Sequence, residues 1–369
     1  MKDLIDILNA YQKLDGRAAL ATVVKIVGSA YRRPGARLLI RADGSTVGTI
    51  SGGCLENDVV EKAKKFMGEH SPQLAVFDMT SADADLWGYG QGCNGVIHVL
   101  IEPLDPVKIS RQFQFILRVH NERSTGVIAT IIRVEGELKL IVGARLFLSK
   151  EGIDETLRHP VVSDAVVEEA EAIRLSGVSQ TKEFRFTEGI AEVFFEVIRP
   201  PIALILCGAG SNVIPVSRLA AQLGWHVTII DHRPALATHE RFPDAAEVFV
   251  RRPEDLDGQI RLDERTAAVI MTHQFQIDLN LLRFFLSNPS PPYVGLLGAT
   301  KRRDLLFEKL DESGFSISSD RRSRVFGPIG LDVGAENPEE IALAIIAEIQ
   351  AAFSGLSGGF MRNRSSSIR

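Results

Sequence analysis

The feature that most constrains the fold is a strand, a glycine turn, a helix and a second strand within residues 203–231. The stretch reads "ALILCGAGSNVIPVSRLAAQLGWHVTIID", with Gly208 and Gly210 at the turn and Asp231 closing the second strand. Such glycines let the backbone approach a pyrophosphate at the helix start, and the acidic residue can accept hydrogen bonds from ribose hydroxyls. The segment predicts a doubly wound domain that holds a nucleotide-like ligand. The alternative is the same fold with an empty or repurposed pocket.

The rest of the carboxyl-terminal half continues this alternation of strands and helices. Apolar strands are predicted at "AAVIMT" and "YVGLLGA", and Asn337 followed by Pro338 marks the start of the last long helix. This alternation indicates an α/β fold with a Rossmann-like doubly wound parallel sheet. Residues 200–354 are assigned to this domain, two prolines mark its start, and residues 355–369 are expected to form a flexible tail.

The amino-terminal half, residues 1–199, has a different pattern and is predicted to form an α+β domain. Asp43 and Gly44 form a hairpin turn signal between two short strands. The middle region, residues 106–199, mixes helical and strand-like segments, with a helix expected near 107–120. Its strand order does not follow from the sequence pattern.

Composition and charge narrow the classes of function. The 369-residue chain has a formal net charge of −5 with interspersed signs, which argues against nucleic-acid binding. Three cysteines, at positions 54, 93 and 207, suggest a reducing compartment rather than a disulfide framework. Because no apolar run is long enough to span a membrane, we expect a cytoplasmic protein without membrane attachment.

The segment "GTISGGCLEND", residues 48–58, places a cysteine beside two glycines at the expected start of a helix. If the helix begins near Gly53, Cys54 lies in its first turn, where unpaired N–H groups favour the thiolate and bind anions. Ser51 is then a candidate cap. Glu56 is a residue that supports the site without touching the ligand, a catalytic acid or base, or simply a favourable first-turn carboxylate. The alternative for Cys54 is a packed core cysteine.

Two further groups of residues complete the candidate chemistry. The segment "YRRPGAR" contributes Arg32, Arg33 and Arg37, which can make charge-assisted contacts to a phosphate, although the segment also suits a solvated hairpin tip. Four glycines surround Cys93, so its loop is expected to approach a ligand closely. The last cysteine, Cys207, is predicted to be a small buried hydrophobe.

Several segments, taken in order, resemble the xanthine dehydrogenase accessory family, XdhC/CoxI. The matching stretches include "GSAYRRPGARLLI", "GTISGGCLE", "GQGCNGVIHVLIEP", "LILCGAGSN" and "GPIGLDVGAENPEEIALAIIAEI". The resemblance implies a chaperone-like factor that binds the molybdenum cofactor, molybdopterin, and protects it. Such a factor presents the cofactor to a sulfurtransferase, a cysteine desulfurase, for sulfuration. It then passes the cofactor to a xanthine-dehydrogenase-type apoenzyme, and a homo-oligomer is compatible with this role.

The resemblance also suggests roles for individual residues. Cys54 matches the cysteine of the family's "GGC-x-E" motif and is the candidate ligand of the molybdenum. Cys93 matches a second family cysteine, although "CNG" replaces the usual "CGG"-like segment, and Ser211 stands where the family often has histidine. His273 and Asp278 match a segment at the end of a strand. The cofactor-binding residues expected from sequence are Arg32, Arg33, Ser51, Gly52, Gly53, Cys54, Cys93, Gly208, Gly210, Ser211, Asp231 and His273.

Two enzymatic alternatives remain at this stage. The Rossmann-like half also suits an NAD(P)-dependent oxidoreductase that binds a dinucleotide, in which His273 or His232 would relay a proton. A thiol enzyme with Cys54 as nucleophile is the other alternative, but no histidine lies convincingly near it in sequence. We therefore favour a non-catalytic cofactor-insertion factor over an enzyme.

Overall fold

The computed structural model describes residues 2–69, 71–80, 95–105 and 110–363. The chain divides into two compact units, Met1–Pro200 and Pro201–Arg369. The first unit contains two antiparallel sheets with helices, and the second contains a parallel six-stranded sheet. The predicted fold class, α/β with a doubly wound carboxyl-terminal part and an α+β amino-terminal part, is confirmed.

The first half of the amino-terminal unit is an antiparallel sheet of five strands with two helices. Its elements are α1 (Lys2–Tyr11), β1 (Ala18–Gly28), β2 (Arg37–Arg41), β3 (Thr46–Gly48), α2 (Glu56–Phe66), β4 (Gln73–Asp78) and β5 (Gly95–Leu104). The strand order is β3-β2-β1-β5-β4. Alternate residues of β1, such as Ala19 and Val23, pack with Val59 and Ala63 of α2, so this helix covers one face of the sheet.

The second half of this unit has the same kinds of elements in the same order. They are α3 (Arg111–Glu122), β6 (Gly126–Gly136), β7 (Arg145–Ser149), β8 (Gly152–Glu155), α4 (Pro160–Ser176), β9 (Gln180–Phe186) and β10 (Gly189–Ile198). The strand order β8-β7-β6-β10-β9 is equivalent to that of the first sheet. The region whose strand order could not be deduced from sequence is therefore a structural repeat of the first half.

The repeat is also visible in the sequence once the strands are aligned. Residues 21–40 read "ATVVKIVGSAYRRPGARLLI", and residues 129–148 read "ATIIRVEGELKLIVGARLFL". Hydrogen bonds repeat as well: Gly35 N donates to Val23 O at 2.8 Å, and Gly143 N donates to Ile131 O at the same distance. The two stretches therefore form equivalent hairpins in the two sheets.

The two sheets pack face to face, and α2 and α4 cover their outer faces. Val24 and Leu100 of the first sheet meet Ile132 and Phe194 of the second in one buried cluster. Residues on the opposite faces pack against α2 in one half and α4 in the other. Because the central strands β1, β6 and β10 place apolar side chains on both of their faces, both faces of each sheet are buried at the centre.

The second unit is a doubly wound parallel sheet. Its elements are β11 (Ala203–Cys207), α5 (Val213–Gln222), β12 (His226–Asp231), β13 (Glu247–Val250), β14 (Thr266–Ile270), α6 (Phe275–Ser287), β15 (Tyr293–Leu296), α7 (Thr300–Glu312), α8 (Ser319–Ser323), β16 (Val325–Phe326) and α9 (Pro338–Phe353). The strand order is β13-β12-β11-β14-β15-β16, and every pairing is parallel. Helices α5 and α9 cover one face, and α6 and α7 cover the other.

This topology places a crevice at a defined point of the sheet. The chain runs outward from β11 to β12 and β13 on one side, and from β14 to β15 and β16 on the other. Open parallel sheets bind ligands at the carboxyl ends of the strands where the order reverses. That point lies between β11 and β14. None of the helices in the described part of the chain combines the length and the apolar character needed to cross a membrane.

Candidate functional site

The loop that carries Cys54, residues 49–55, folds around the carboxylate of Glu56. We call it the cysteine loop. Glu56 accepts hydrogen bonds from Thr49 Oγ1 at 2.7 Å, from Ile50 N at 3.1 Å, and from both the backbone and the hydroxyl of Ser51. Gly53 N donates to the same carboxylate at 2.9 Å. The donors of the loop therefore point inward at the carboxylate of Glu56.

The hydrogen bonds fix the charge state of Glu56. Burial would raise the pKa of the carboxyl group, but hydrogen bonds from Ser51, Thr49 and the loop backbone outweigh burial and lower the pKa from 4.5 to about 2. The carboxylate is ionised at neutral pH and both of its oxygens accept hydrogen bonds. This chemistry favours a role in shaping the loop over proton transfer.

The start of α2 corrects the sequence-based placement of the helix. We expected the helix to begin near Gly53 with Cys54 in its first turn, but it begins at Glu56 and Leu55 is its cap. We expected backbone N–H groups without partners in this turn, but those of Ser51 and Gly53 donate hydrogen bonds to Glu56. The physical reason is that Glu56 reaches back over the loop and supplies the anion that we had assigned to a ligand.

Cys54 itself lies at the surface. Its side chain is exposed, and its thiol lies 3.9 Å from the carbonyl oxygen of Ser51, to which it can donate. The alternative of a packed core cysteine is therefore wrong. The preceding residues, Gly52 and Gly53, have φ values of 84° and 119°, a region that other residues rarely adopt. The glycines are thus required by the turn that presents the thiol.

The segment between β1 and β2, residues 29–36, lies beside the cysteine loop, and we call it the arginine loop. A Cβ atom on Gly52 would lie 2.8 Å from Cδ1 of Tyr31, so the tyrosine ring rests directly on this glycine. Tyr31 is 74% exposed. Arg32 forms an ion pair with Asp3 of α1, and Arg33 is exposed. The loop that carries Arg32 and Arg33 therefore contacts the loop that carries the thiol, through Tyr31 and Gly52.

Arg37 does not lie at the surface, in contrast to the sequence-based expectation. Its side chain is 5% exposed and makes a two-pronged ion pair with Glu196 of β10. Burial would lower the pKa of Arg37, but the charge and hydrogen bonds of Glu196 raise it above its usual range. Sequence reasoning missed the partner because it lies in the second half of the repeat. The predicted site residue Cys93 falls outside the described residues.

In the second unit, the glycine turn follows β11 as the sequence predicts. Gly208 has a φ of 122°, and a Cβ atom there would lie 2.7 Å from the carbonyl oxygen of Met271, just after β14. Gly208 is therefore needed for the close approach of the two chain segments at the crevice. Ser211 is exposed in the turn, and Gly210 is partly exposed. Cys207 is 1% exposed, and burial raises the pKa of its thiol, as expected for a structural cysteine.

Asp231 ends β12 at the expected position, but its carboxylate already has several partners. It accepts hydrogen bonds from Ala209 N at 2.7 Å, from Arg233 Nη2 at 2.7 Å and from Arg233 Nε at 2.9 Å. Burial would raise the pKa of Asp231, but the hydrogen bonds and charge of Arg233 lower it below its usual range. A ribose hydroxyl at this carboxylate would have to share it with Arg233.

The residues after β14 complete the crevice. His273 is exposed with a φ of 60°, and its Nε2 lies 3.1 Å from Nδ2 of Asn212, across the point where the strand order reverses. Asp278 is 3% exposed and accepts hydrogen bonds from Thr272 and, at 2.6 Å, from Arg302 Nη2. Through its hydrogen bond with Thr272, Asp278 thus stabilises the turn that contains His273.

Sequence reasoning missed four residues that shape these sites. Tyr31, Asn212, Arg233 and Arg302 all lie next to residues that the motifs did identify. For Asn212 the signal was present, because it ends the quoted "GAGSN" turn. For Arg302 the partner Asp278 is 24 residues away, and no sequence pattern links them. Among the described residues, no group of three or more potential ligands could hold a metal ion.

Comparisons with known proteins give consistent matches. A Bacillus subtilis protein described as a probable xanthine dehydrogenase subunit is 33% identical over 343 residues, or 93% of this chain and 95% of the relative. The Escherichia coli protein "Molybdenum cofactor insertion chaperone PaoD" is 24% identical over 333 residues, or 90% of this chain and 82% of the relative.

A crystal structure of a Bacillus halodurans protein, described as a xanthine dehydrogenase, superposes with a TM-score of 0.77. The two chains are 30% identical, and the match covers 100% of this chain and 98% of the other. Residues 204–349 match the XdhC Rossmann domain, and residues 12–78 match the XdhC and CoxI family. The chain therefore belongs to the XdhC and CoxI family.

Proposed function

We propose that this chain is an accessory factor that binds the molybdenum cofactor and assists its sulfuration and its insertion into a xanthine-dehydrogenase-type molybdoenzyme. The observation that carries the proposal is the exposed thiol of Cys54 on a glycine loop beside the arginine loop. Membership of the XdhC and CoxI family, together with the similarity to a named molybdenum cofactor insertion chaperone, supports the same role. The cofactor is cargo here, to be released rather than retained.

The chemistry of the exposed groups suits this cargo. A thiolate is a soft ligand that binds a soft metal centre well, and molybdopterin also carries a phosphate that arginine can bind. A single exposed sulfur, without a ring of other metal ligands in the described residues, holds a metal through one replaceable bond. One replaceable bond is what a delivery factor needs, because the receiving enzyme must take over the cofactor.

The hydrogen bonds of Glu56 change which groups would bind the phosphate. Because Glu56 already engages the N–H groups of Ser51 and Gly53, we assign the phosphate to Arg33 and Arg32 instead of the loop backbone. Arg33 is exposed, and Arg32 could exchange its surface pair with Asp3 for a phosphate at little cost. Ser51, Gly52 and Gly53 would then act by shaping the turn that presents Cys54.

In the second unit, we propose that the crevice formed by Gly208, Gly210, Ser211 and His273 binds a ribose- or phosphate-bearing ligand, with Asp231 at its edge. The reversal of strand order supports a ligand site there, and Ser211 and His273 are exposed at that point. The proposed partners of the whole protein are a xanthine-dehydrogenase-type apoenzyme and a cysteine desulfurase.

The test is to measure molybdenum and pterin in protein purified without oxygen from a host that makes the cofactor. We expect Cys54→Ala to lower both by at least about tenfold, since even outer-shell changes cost a metal site that much. Asn57→Ala, an exposed change three residues away, is the matched control and should retain wild-type content. Equal content in wild type and Cys54→Ala would contradict the proposal.

A second arm of the experiment addresses the oxidoreductase alternative. Purified protein is mixed with xanthine and NAD, with and without a cofactor-free xanthine-dehydrogenase-type enzyme. An accessory factor should give turnover only when the partner enzyme is present. Turnover by the purified protein alone would favour the NAD-dependent oxidoreductase.

A further inference from the structure

Two buried ion pairs cross between the two halves of the amino-terminal unit. Arg37 of the first half pairs with Glu196 of the second. Arg145 of the second half pairs with Glu102 of the first, with Nη2 and Oε2 2.6 Å apart. The two arginines each follow the glycine and alanine of the repeated stretch, and the two glutamates lie at equivalent positions of β5 and β10. The pairs are therefore related by the repeat.

The pair formed by Arg37 also fixes the end of the arginine loop. Arg37 Nη1 donates to the carbonyl oxygen of Gly35 at 2.9 Å and to Glu196 Oε1 at 2.6 Å. Gly35 has a φ of 95°, and a Cβ atom there would lie 2.9 Å from Glu196 Oε1. The last turn of the arginine loop is thus held against a carboxylate that the other half supplies.

The arginine loop in turn contacts the cysteine loop. Four residues before Gly35, the ring of Tyr31 rests on Gly52, two residues before Cys54. A continuous series of contacts therefore runs from Glu196 through Arg37 and the arginine loop to the loop that presents the thiol.

The second ion pair holds a different loop in the same way. Arg145 Nη1 donates to the carbonyl oxygen of Gly143 at 3.2 Å, at the end of residues 137–144. A Cβ atom on Gly143 would lie 2.6 Å from Cγ of Pro72, so this loop packs near β4. The pair formed by Arg145 and Glu102 is therefore a comparison pair with similar burial but one hydrogen bond instead of two, and its loop does not contact Gly52. The charge of Glu102 also acts on Arg37, but Glu102 makes no hydrogen bond to it among the described contacts.

We propose that Glu196 is a positioning residue for the Cys54 site: the second half of the repeat supplies the carboxylate that holds the arginine loop over the thiol-bearing loop of the first. This proposal rests on the proposed function, because it takes Cys54 as the residue that binds the cofactor. It requires the second half to support the site although this half lacks a cysteine of its own.

The test compares Glu196→Gln with Glu102→Gln in the full-length protein. The rate at which iodoacetamide alkylates Cys54 is followed by mass spectrometry of the peptide that contains it. Glu196→Gln should speed alkylation by on the order of threefold or more, the effect of losing one net hydrogen bond that holds a loop. Glu102→Gln should change the rate by clearly less than Glu196→Gln does, because the hydrogen bond it weakens is to Arg145 and not to Arg37.

A variant at an exposed position keeps the proposal testable if Glu196→Gln fails to fold. Tyr31 is 74% exposed, so Tyr31→Ala should leave stability unchanged and still speed alkylation of Cys54, because it removes the contact with Gly52. Equal rates for Glu196→Gln and Glu102→Gln, or no effect of Tyr31→Ala, would overturn the positioning role. These rates do not depend on the cofactor, so they stand even if Cys54→Ala retains its molybdenum and the proposed function fails.

Discussion

At the scale of single residues, Glu56 determines the conformation of the loop that carries Cys54. The sequence offered three interpretations of this glutamate: a supporting residue, an acid or base, and a first-turn carboxylate. It is indeed the first residue of α2. What sequence could not reveal is that its side chain collects five hydrogen bonds from the four residues Thr49, Ile50, Ser51 and Gly53. Hydrogen bonds within one loop depend on backbone angles that glycine-rich sequences leave open.

The lowered pKa of Glu56 predicts a dependence of stability on pH. Since the folded-state pKa is about 2 and the ordinary value is 4.5, the carboxylate stabilises the fold above pH 4.5 and loses this contribution as pH falls towards 2. Glu56→Gln should therefore cost about 1–2 kcal/mol at pH 7, a figure reduced for partial exposure. The difference from wild type should shrink between pH 4.5 and pH 2, as measured by urea unfolding.

The control for this measurement is Glu61→Gln on the same helix. Glu61 is 68% exposed and forms a surface pair with Lys64, so its replacement should change stability by less than about 0.5 kcal/mol at any pH. A Glu56→Gln variant with wild-type stability at pH 7, or with a difference that grows in acid, would show that the loop does not depend on the carboxylate.

At the scale of elements, the sequence predicted the start of a helix correctly where the residue just before the helix caps it with its own side chain. Asn337 caps α9 and forms a capping box with Glu340, as expected from Asn337, Pro338 and the acidic first turn. The start of α2 was predicted about three residues early, because there the cap chemistry comes from a side chain that reaches backwards. In the second unit, β11, β12, β14 and β15 were predicted because each is a short apolar run next to a turn or helix signal, whereas β13 and β16 were not predicted.

The capping box of α9 gives a prediction at this scale. Asn337 Oδ1 accepts from Glu340 N at 2.9 Å, so Asn337→Ala leaves this donor without its partner. We expect a loss of about 1 kcal/mol or more in the free energy of unfolding, measured by urea denaturation. Ser318→Ala removes the cap of the five-residue helix α8 and should cost less than about 0.5 kcal/mol. Equal losses of unfolding free energy in the two variants would contradict a larger contribution from the α9 cap than from the α8 cap.

At the scale of the whole molecule, the repeat in the amino-terminal unit is the feature that sequence reasoning missed. The signal was available, since "ATVVKIVG" and "GARLLI" return as "ATIIRVEG" and "GARLFL", but it appears only on comparing the chain with itself. Missing it had a chemical consequence. Arg37 was grouped with the surface arginines because its partner Glu196 lies 159 residues away, in the other half of the repeat.

The repeat predicts that its two crossed ion pairs have matching energetics. Arg37→Met leaves Glu196, whose side chain is 11% exposed, without its counter-charge, and Arg145→Met does the same to Glu102 at 7% exposure. Each single change should destabilise the unit by about 3–5 kcal/mol.

Replacing both members of a pair, as in Arg37→Met with Glu196→Leu, should restore most of that loss, because no buried charge then remains unpaired. Urea unfolding of the single and paired variants gives the coupling energy for each pair, and the two values should agree within about 1 kcal/mol. If Arg145→Met were nearly neutral while Arg37→Met was severe, the two pairs would not be equivalent. The two halves would then share a backbone fold, but the ion pairs between their sheets would differ in how much they stabilise the unit.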